Sequence, residues 1–200
     1  LKGKTIGLTK KTAGEFYLGR FLTANQLSLT DVRLVDLSPA EMVSRIENGT
    51  LDAVLIFDPH AYQIQETLGN MAVSWSAQGD QRALGLVYAL NSFLERHPDL
   101  AQNYINALYQ SERYLEQDKV QAEIVSTRLL NNDAAYMEYL WPHFIVGVDL
   151  NQDMLLTMEE QAKWIIDHRL TTATQVPNYL EYIYFQALEQ VHPEAVTIIH

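Results

Sequence analysis

The sequence predicts an α/β fold built on a parallel sheet, and three observations predict it. The stretch Leu37 to His60, LSPAEMVSRIENGTLDAVLIFDPH, reads as helix, strand and helix in immediate succession. Its central run, Ala53 to Phe57, is unbroken in apolar residues and has the length of a strand buried on both faces. Upstream, two further strand candidates alternate with helical patterns, which is the order a parallel sheet requires.

Each element has a local reason. Lys4 to Thr9 is the first strand. Thr12 and Glu15 then stand at the spacing of a capping box, and Leu18, Phe21 and Leu22 supply the apolar face of the helix they open. Asn25 to Asp31 is a polar connection and Val32 to Leu37 a second strand. Ser38, Pro39 and Glu41 form a capping box with proline at the first helical position. Met42, Val43 and Ile46 share one face of that helix, and Asn48-Gly49 ends it. Asp58-Pro59 repeats the cap-and-proline signal after the third strand, and the next helix carries Ala61, Ile64 and Leu68 up to Gly69-Asn70. Met71 to Ser76 and Ala83 to Leu90 are two more strand candidates around the polar turn 77–82.

Beyond Asn91 the pattern becomes helical almost throughout. A short helix through Phe93 to Arg96 is expected. A long one follows His97-Pro98, with Tyr104, Ala107, Leu108, Ser111 and Leu115 on one stripe, and a third runs through Ala122 to Leu130. Trp141-Pro142 breaks the run, Phe144 to Val148 is a short strand, and Asn151 opens a helix carrying Met158, Ala162 and Ile165. The last helix places Leu180, Ile183, Tyr184, Ala187, Leu188 and Val191 on one stripe before Pro193. The expected division is an α/β lobe over residues 1–90 and a mainly helical segment over 91–200.

Composition narrows the function. Hydrophobic residues make up 48% of the 200, so the chain can bury a core. Fourteen basic against 25 acidic residues give a net charge of −11, with no basic cluster longer than Lys10-Lys11, which argues against nucleic acid and acidic membrane surfaces as partners. The apolar runs are far shorter than the roughly 20 residues of a spanning helix, so no membrane insertion is expected. Leu1-Lys2-Gly3-Lys4 leads directly into a strand without a signal peptide, as expected of a cytoplasmic chain or of a mature or trimmed exported one. Cysteine is absent, which removes thiolate catalysis, disulfides and Cys-zinc sites.

Ligands of open parallel sheets bind outside the carboxyl ends of the strands, where Phe57, Asp58 and His60 are expected to stand. The first strand-to-helix turn reaches the same edge with Thr12, Gly14, Glu15 and Phe16. A helix start is a ready anion site, but Glu15 in the first turn already answers the helix dipole and would repel an anion. A neutral or amine-bearing ligand is therefore expected over sulfonate or nitrate. Trp75, beside a turn, is a further candidate contact. No dinucleotide, P-loop, hydrolase-elbow or zincin motif occurs, and the six histidines are scattered, so no catalytic residue, metal or cofactor is expected. Asp58 and His60 would suit an acid/base pair, but Asp58 before Pro59 reads first as a helix cap.

Several of these motifs resemble the second lobe of periplasmic solute-binding proteins of the nitrate, sulfonate and taurine uptake type, related to the pyrimidine-precursor-binding proteins. Leu1-Lys2-Gly3-Lys4, Pro39-Ala40-Glu41, Asp52-Ala53 and Phe57-Asp58-Pro59-His60 carry the resemblance, the last with the family's tryptophan and tyrosine replaced. Val73 to Gln78, Asn91 to Pro98, Leu156 to Trp164, Val176 to Tyr184 and Pro193 to Ile199 continue it. The resemblance implies a type 2 periplasmic-binding-protein fold, with the second lobe and the C-terminal helical part of the first present and the N-terminal part of the first absent. It implies a periplasmic or extracytoplasmic protein that binds a small organic solute for an ABC transporter permease by closing two lobes. The alternative is the sensing domain of a membrane-bound kinase or cyclase, with a fused signalling domain as partner. Enzymatic relatives that make the thiamine pyrimidine carry a cysteine-rich motif that this chain lacks, so no enzyme is expected. With the first-lobe segment absent, Leu180, Ile183, Tyr184 and Leu188 are expected to lack part of their cover. The chain is then expected to form a homodimer through this half, or to be a trimmed product that binds ligand poorly alone.

Overall fold

A computed structural model describes residues 1–79, 81 and 83–200. In chain order its main elements are β1 (Thr5–Leu8), α1 (Ala13–Ala24), β2 (Arg33–Asp36), α2 (Pro39–Glu47), β3 (Ala53–Val54), α3 (His60–Leu68), α4 (Asn91–Arg96), α5 (Pro98–Gln117), α6 (Lys119–Leu130), α7 (Ala134–Leu140), α8 (Gln152–Asp167) and α9 (Gln186–Val191). The chain divides into two units. The first is Leu1–Ala83 with Glu160–Val176, and the second is Leu84–Glu159 with Pro177–His200. The returning segment Glu160–Val176 is a feature that a single cut after residue 90 does not describe.

In the first unit β1 pairs in parallel with both neighbours, giving the order β2-β1-β3. Ile6 and Leu8 of β1 are fully buried with Leu18 and Leu22 of α1, and Leu27, Leu29, Val32, Leu34, Ala53 and Leu55 close around them. On the other side of β1, Gly7 allows a close crossing: a Cβ there would stand 2.9 Å from Leu51 Cδ1 and 3.3 Å from Met42 Cγ. A side chain there would have to displace those of Leu51 and Met42. The Ser38 capping box forms as its spacing predicts, with the Glu41 N–H donating to Ser38 Oγ (3.4 Å) and the Ser38 N–H to Glu41 Oε2 (3.0 Å). The second half of α8 packs on α1 at Gly19, where a Cβ would stand 3.0 Å from the Trp164 indole. Arg20 pairs with Glu160 at 3.1 Å, and Gln81 Nε2 donates to the same carboxylate at 2.6 Å.

Two expectations for this unit need correction. The run Ala53 to Phe57 is not a strand buried on both faces: only Ala53–Val54 join the ladder, and the run is half-buried until Phe57 becomes exposed. β3, like β2, is an edge strand among the described residues, so one side of it lacks a neighbour, although the Leu55 N–H still donates to Gly7 O at 2.8 Å. Met71 to Ser76 and Ala83 to Leu90 form no strand among their described residues. A short 3-10 turn, Gly69–Met71, precedes the first, and no described strand takes up the backbone of either. Most of their side chains are exposed as well, Tyr88 at 84%, Leu84 and Ala72 being half-buried. Of the polar turn expected at 77–82, Asp80 and Arg82 lie outside the described residues.

The second unit is helical, and α4, α5, α6 and the start of α8 stand where the sequence places them. Its core gathers Met154 and Leu155 of α8 with Phe185 and Ile198, and Leu84, Leu150, Met158, Leu180 and Ile183 pack against it. Phe144 to Val148 is not a strand. The Val148 N–H goes to the Glu112 carboxylate at 3.1 Å, and the only bridge between described residues nearby joins Leu150 to Val196. The expected last helix is broken into a 3-10 segment, Tyr179–Tyr182, and the short α9. Tyr179, Tyr182, Ile183, Tyr184 and Phe185 are β-branched or aromatic and lose side-chain freedom in a helix. The break turns Leu180, Ile183 and Phe185 together into the core. Of the residues expected to lack part of their cover, Leu188 is buried and Leu180, Ile183 and Tyr184 are half-buried.

Asp52, at the amino end of β3, ties this strand to β1 by accepting the Thr5 N–H at 2.8 Å and the Lys4 ammonium at 2.9 Å. The backbone hydrogen bond, and then Lys4, hold its carboxyl below the ordinary aspartate range. A carboxylate lowered in the folded state stabilises above its unfolded pKa and loses that contribution as pH falls through the folded value. We predict that Asp52→Asn flattens the loss of stability between about pH 5 and about pH 2, measured as the urea midpoint at each pH. An unchanged slope would remove Asp52 from this role.

Candidate functional site at the carboxyl edge of the sheet

Parallel strands end on the same side, so the segments after β1, β2 and β3 meet at one edge. After β1 the chain turns through Lys11, whose φ is +58°, and enters α1. Thr12 caps this helix: its Oγ1 accepts the Gly14 N–H at 3.2 Å and donates its proton to Thr9 O at 2.8 Å. Glu15 does not complete the box on Thr12. Its carboxylate folds back one residue further and accepts the Lys11 N–H at 2.9 Å, and the side chain is only 7% exposed. Gly14 lies against the continuation of β3, since a Cβ there would stand 3.1 Å from Leu55 Cδ2.

After β3, Phe57 is 64% exposed and its ring meets the His60 ring edge-on at 6.1 Å between centroids. Asp58, joined to Pro59 by a cis peptide, accepts the Tyr62 N–H at 3.2 Å, which supports the cap reading with α3 beginning one residue later than its signal. Thus Thr12, Gly14, Glu15, Phe57, Asp58 and His60 stand at one edge. Phe16 does not face it. Its ring is buried against Tyr17 and Trp164, at centroid distances of 5.3 and 5.9 Å. Trp75 is 64% exposed on the extended segment beyond α3.

One residue of this edge escaped sequence reasoning. Asp36, the last residue of β2, accepts the Lys10 N–H at 2.9 Å and so holds the β1–α1 turn from the other side. An acidic residue at the carboxyl end of a predicted parallel strand was the available signal. A cavity of about 490 Å³ on the same unit lies at the other end of α1, lined by Arg20, Thr23, Ala24, Leu29, Trp164 and His168 among others. It is remote from the strand ends, so the edge, not the cavity, is the candidate site. Among the described residues no group of His, Asp or Glu side chains is arranged to hold a metal ion.

A parallel α/β sheet with its strand-to-helix turns gathered at one edge defines an open α/β fold, whose ligands bind outside the carboxyl ends of the strands. The profile of the NMT1-like family matches residues 2–129, and the chain belongs to that family. A Brucella abortus (strain 2308) protein described as a candidate binding protein is 25% identical over 141 residues, 69% of this chain and 44% of that protein. A Brucella suis biovar 1 (strain 1330) relative, described in the same way, matches to the same extent. The chain therefore spans under half the length of the curated relatives it matches. Among solved structures, the periplasmic aliphatic sulphonate binding protein SsuA of Escherichia coli superposes with a TM-score of 0.74 at 17% identity, covering 94% of this chain and 64% of that one. The alkanesulfonate-binding protein SsuA of Xanthomonas axonopodis pv. citri, bound to MOPS, gives 0.69 at 22% identity, covering 88% and 61%. These likenesses show that the fold is the expected one.

The Thr12 cap can be tested directly. Thr12→Ala leaves the Gly14 N–H without its side-chain acceptor and should cost about 1 kcal/mol of stability, the usual value for a lost N-cap, read from the shift in the urea midpoint. Glycine at the same position should cost less. Equal stability of all three proteins would show that the turn is held by Asp36 and Glu15 alone.

Proposed function

We propose that this chain is the solute-binding part of an extracytoplasmic protein that delivers a small organic molecule to an ABC-type uptake transporter, the solute being held by closure of two lobes. The observation that carries this reading is the convergence of the β1–α1 turn and the β3–α3 turn at one sheet edge, where ligands of such folds bind. The similar solved proteins are periplasmic binding proteins, which supports the placement outside the cytoplasm. Among the described residues no helix is long and apolar enough to cross a membrane. The named relatives are described as binding proteins, which supports capture without bond-making chemistry.

In this reading the exposed Phe57 ring and His60 supply an apolar and a polar contact, while Thr12, Gly14, Glu15 and Asp58 shape the turn amides and charge around the solute. Phe16 holds α1 in place from inside instead of touching the ligand, and Trp75 contributes an exposed aromatic face. The test is a thermal-shift screen of a metabolite panel, followed by calorimetry on the best hit. Phe57→Ala removes a ring that is mostly in water, so it should leave the unfolding midpoint nearly unchanged. Binding should weaken roughly tenfold or more, since burying a phenylalanine ring contributes about 1.5–3 kcal/mol. Unchanged affinity in both Phe57→Ala and Trp75→Ala would place the site elsewhere.

A further inference from the structure

The cavity of about 490 Å³ beside the last turns of α1 falls within the size range of small-molecule pockets, roughly 300–1,000 Å³. Its wall is an aromatic pair on the second half of α8. Gly19 lets the Trp164 indole lie directly on α1, since a Cβ there would stand 3.0 Å from both Nε1 and Cζ2 of the indole. Phe16 meets the same indole edge-on at 5.9 Å, and the His168 ring stacks on it at 4.1 Å between centroids and 25° between planes. His168 Nδ1 lies 2.8 Å from Trp164 O. A carbonyl can only accept, so Nδ1 carries the proton and the neutral ring presents Nε2 as an acceptor. The stack and this bond together hold an exposed imidazole in one orientation.

The rest of the lining is apolar or already engaged. Ala24 and Leu29 are apolar, and Leu29 reaches the cavity because the chain reverses at Gln26, whose φ is +60°. The Thr23 hydroxyl donates to Gly19 O at 2.9 Å, and the Ser28 hydroxyl to Asp31 Oδ2 at 2.8 Å. Arg20 pairs with Glu160 at 3.1 Å, and its guanidinium lies 5.6 Å from the centre of the Phe16 ring. An anion entering here would have to take Arg20 from Glu160, whereas a neutral ring only fills apolar space.

We propose that this cavity is a second binding site, for a neutral aromatic compound of one or two rings with a hydrogen-bond donor at its edge. The ring lies against the Trp164–His168 wall, where stacked and edge-on contacts favour aromatic partners. The donor meets His168 Nε2 and selects among aromatics. The cavity shares no lining residue with the sheet edge, so it stands or falls independently of the site there.

The experiment titrates the isotope-labelled full chain with indole, N-methylindole and indole carboxylate, following the Trp164 indole N–H resonance and measuring affinities by calorimetry. Indole should move this resonance saturably. N-methylindole keeps the rings but lacks the donor, and should bind roughly fivefold more weakly, the factor one neutral hydrogen bond supplies. Indole carboxylate should also bind more weakly than indole. His168→Phe keeps a stacked ring and removes the acceptor, so it should weaken indole about fivefold and leave N-methylindole nearly unchanged. Ala24→Phe, at an exposed position, should fill the cavity and abolish binding of both while the urea midpoint is kept. Phe57→Ala should leave indole binding as it was. No saturable shift with either indole, binding that survives Ala24→Phe, or binding lost in Phe57→Ala would overturn the site. Indole carboxylate binding more tightly than indole, or His168→Phe treating indole and N-methylindole alike, would overturn the ligand class.

Discussion

Pairing β1 in parallel with a strand on each side is the constraint on which the first unit depends. Because both partners run the same way as β1, every connection must cross back over the sheet, and α1 and α2 do so with their apolar faces inward. The same constraint brings all three strand ends to one edge. Asp52 fixes the opposite end of the β1–β3 pair through Thr5 and Lys4, so the position of the Phe57 turn follows from a register set about one strand length away. Function at the carboxyl edge is in this sense a product of how the sheet is pinned at its amino edge.

Most of this unit is legible in the sequence because its signals are local. Ser38, Pro39 and Glu41 specify a helix start within four residues, and the structure forms the hydrogen bonds that their spacing predicts. Gly69 takes the positive φ that ends α3. The alternation in Val32 to Leu37 yields β2 within a residue of its expected ends. What the residues after β3 cannot show locally is rank within the sheet. Ala53 to Phe57 has the composition of an interior strand, yet the run lies at an edge, and edge or centre is decided by which other segments pair, not by the run itself.

The same distinction explains the larger misreadings. Met71 to Ser76 and Ala83 to Leu90 have strand composition, but a strand is a relation between two backbones, and no described strand supplies the second one. Tyr179 to Val191 has helical periodicity, but its aromatic and β-branched residues weaken the helix, and packing Leu180, Ile183 and Phe185 against Met154 and Leu155 outweighs the period. Glu15 is the instructive case at the site. Spacing predicts that it reaches back to Thr12. The left-handed Lys11 turns a different N–H toward it, and that choice buries the carboxylate. Backbone handedness at one residue is not readable from pattern, yet it decides which N–H the carboxylate meets.

Fold and ligand chemistry therefore separate in this protein. The superposition on sulfonate-binding structures concerns strand order and helix placement, which are set by Ile6, Leu8, Leu18 and Leu22 and would survive almost any change at the edge. Ligand chemistry is set by which groups remain unsatisfied once the turn has folded. A turn whose amides are free attracts anions through the helix start. In this turn the Lys10, Lys11 and Gly14 N–H groups are answered by Asp36, Glu15 and Thr12. Two proteins can thus share the scaffold and the location of the site while differing in the groups they recognise, because the side chains at the mouth of one turn decide which backbone groups stay open to a solute.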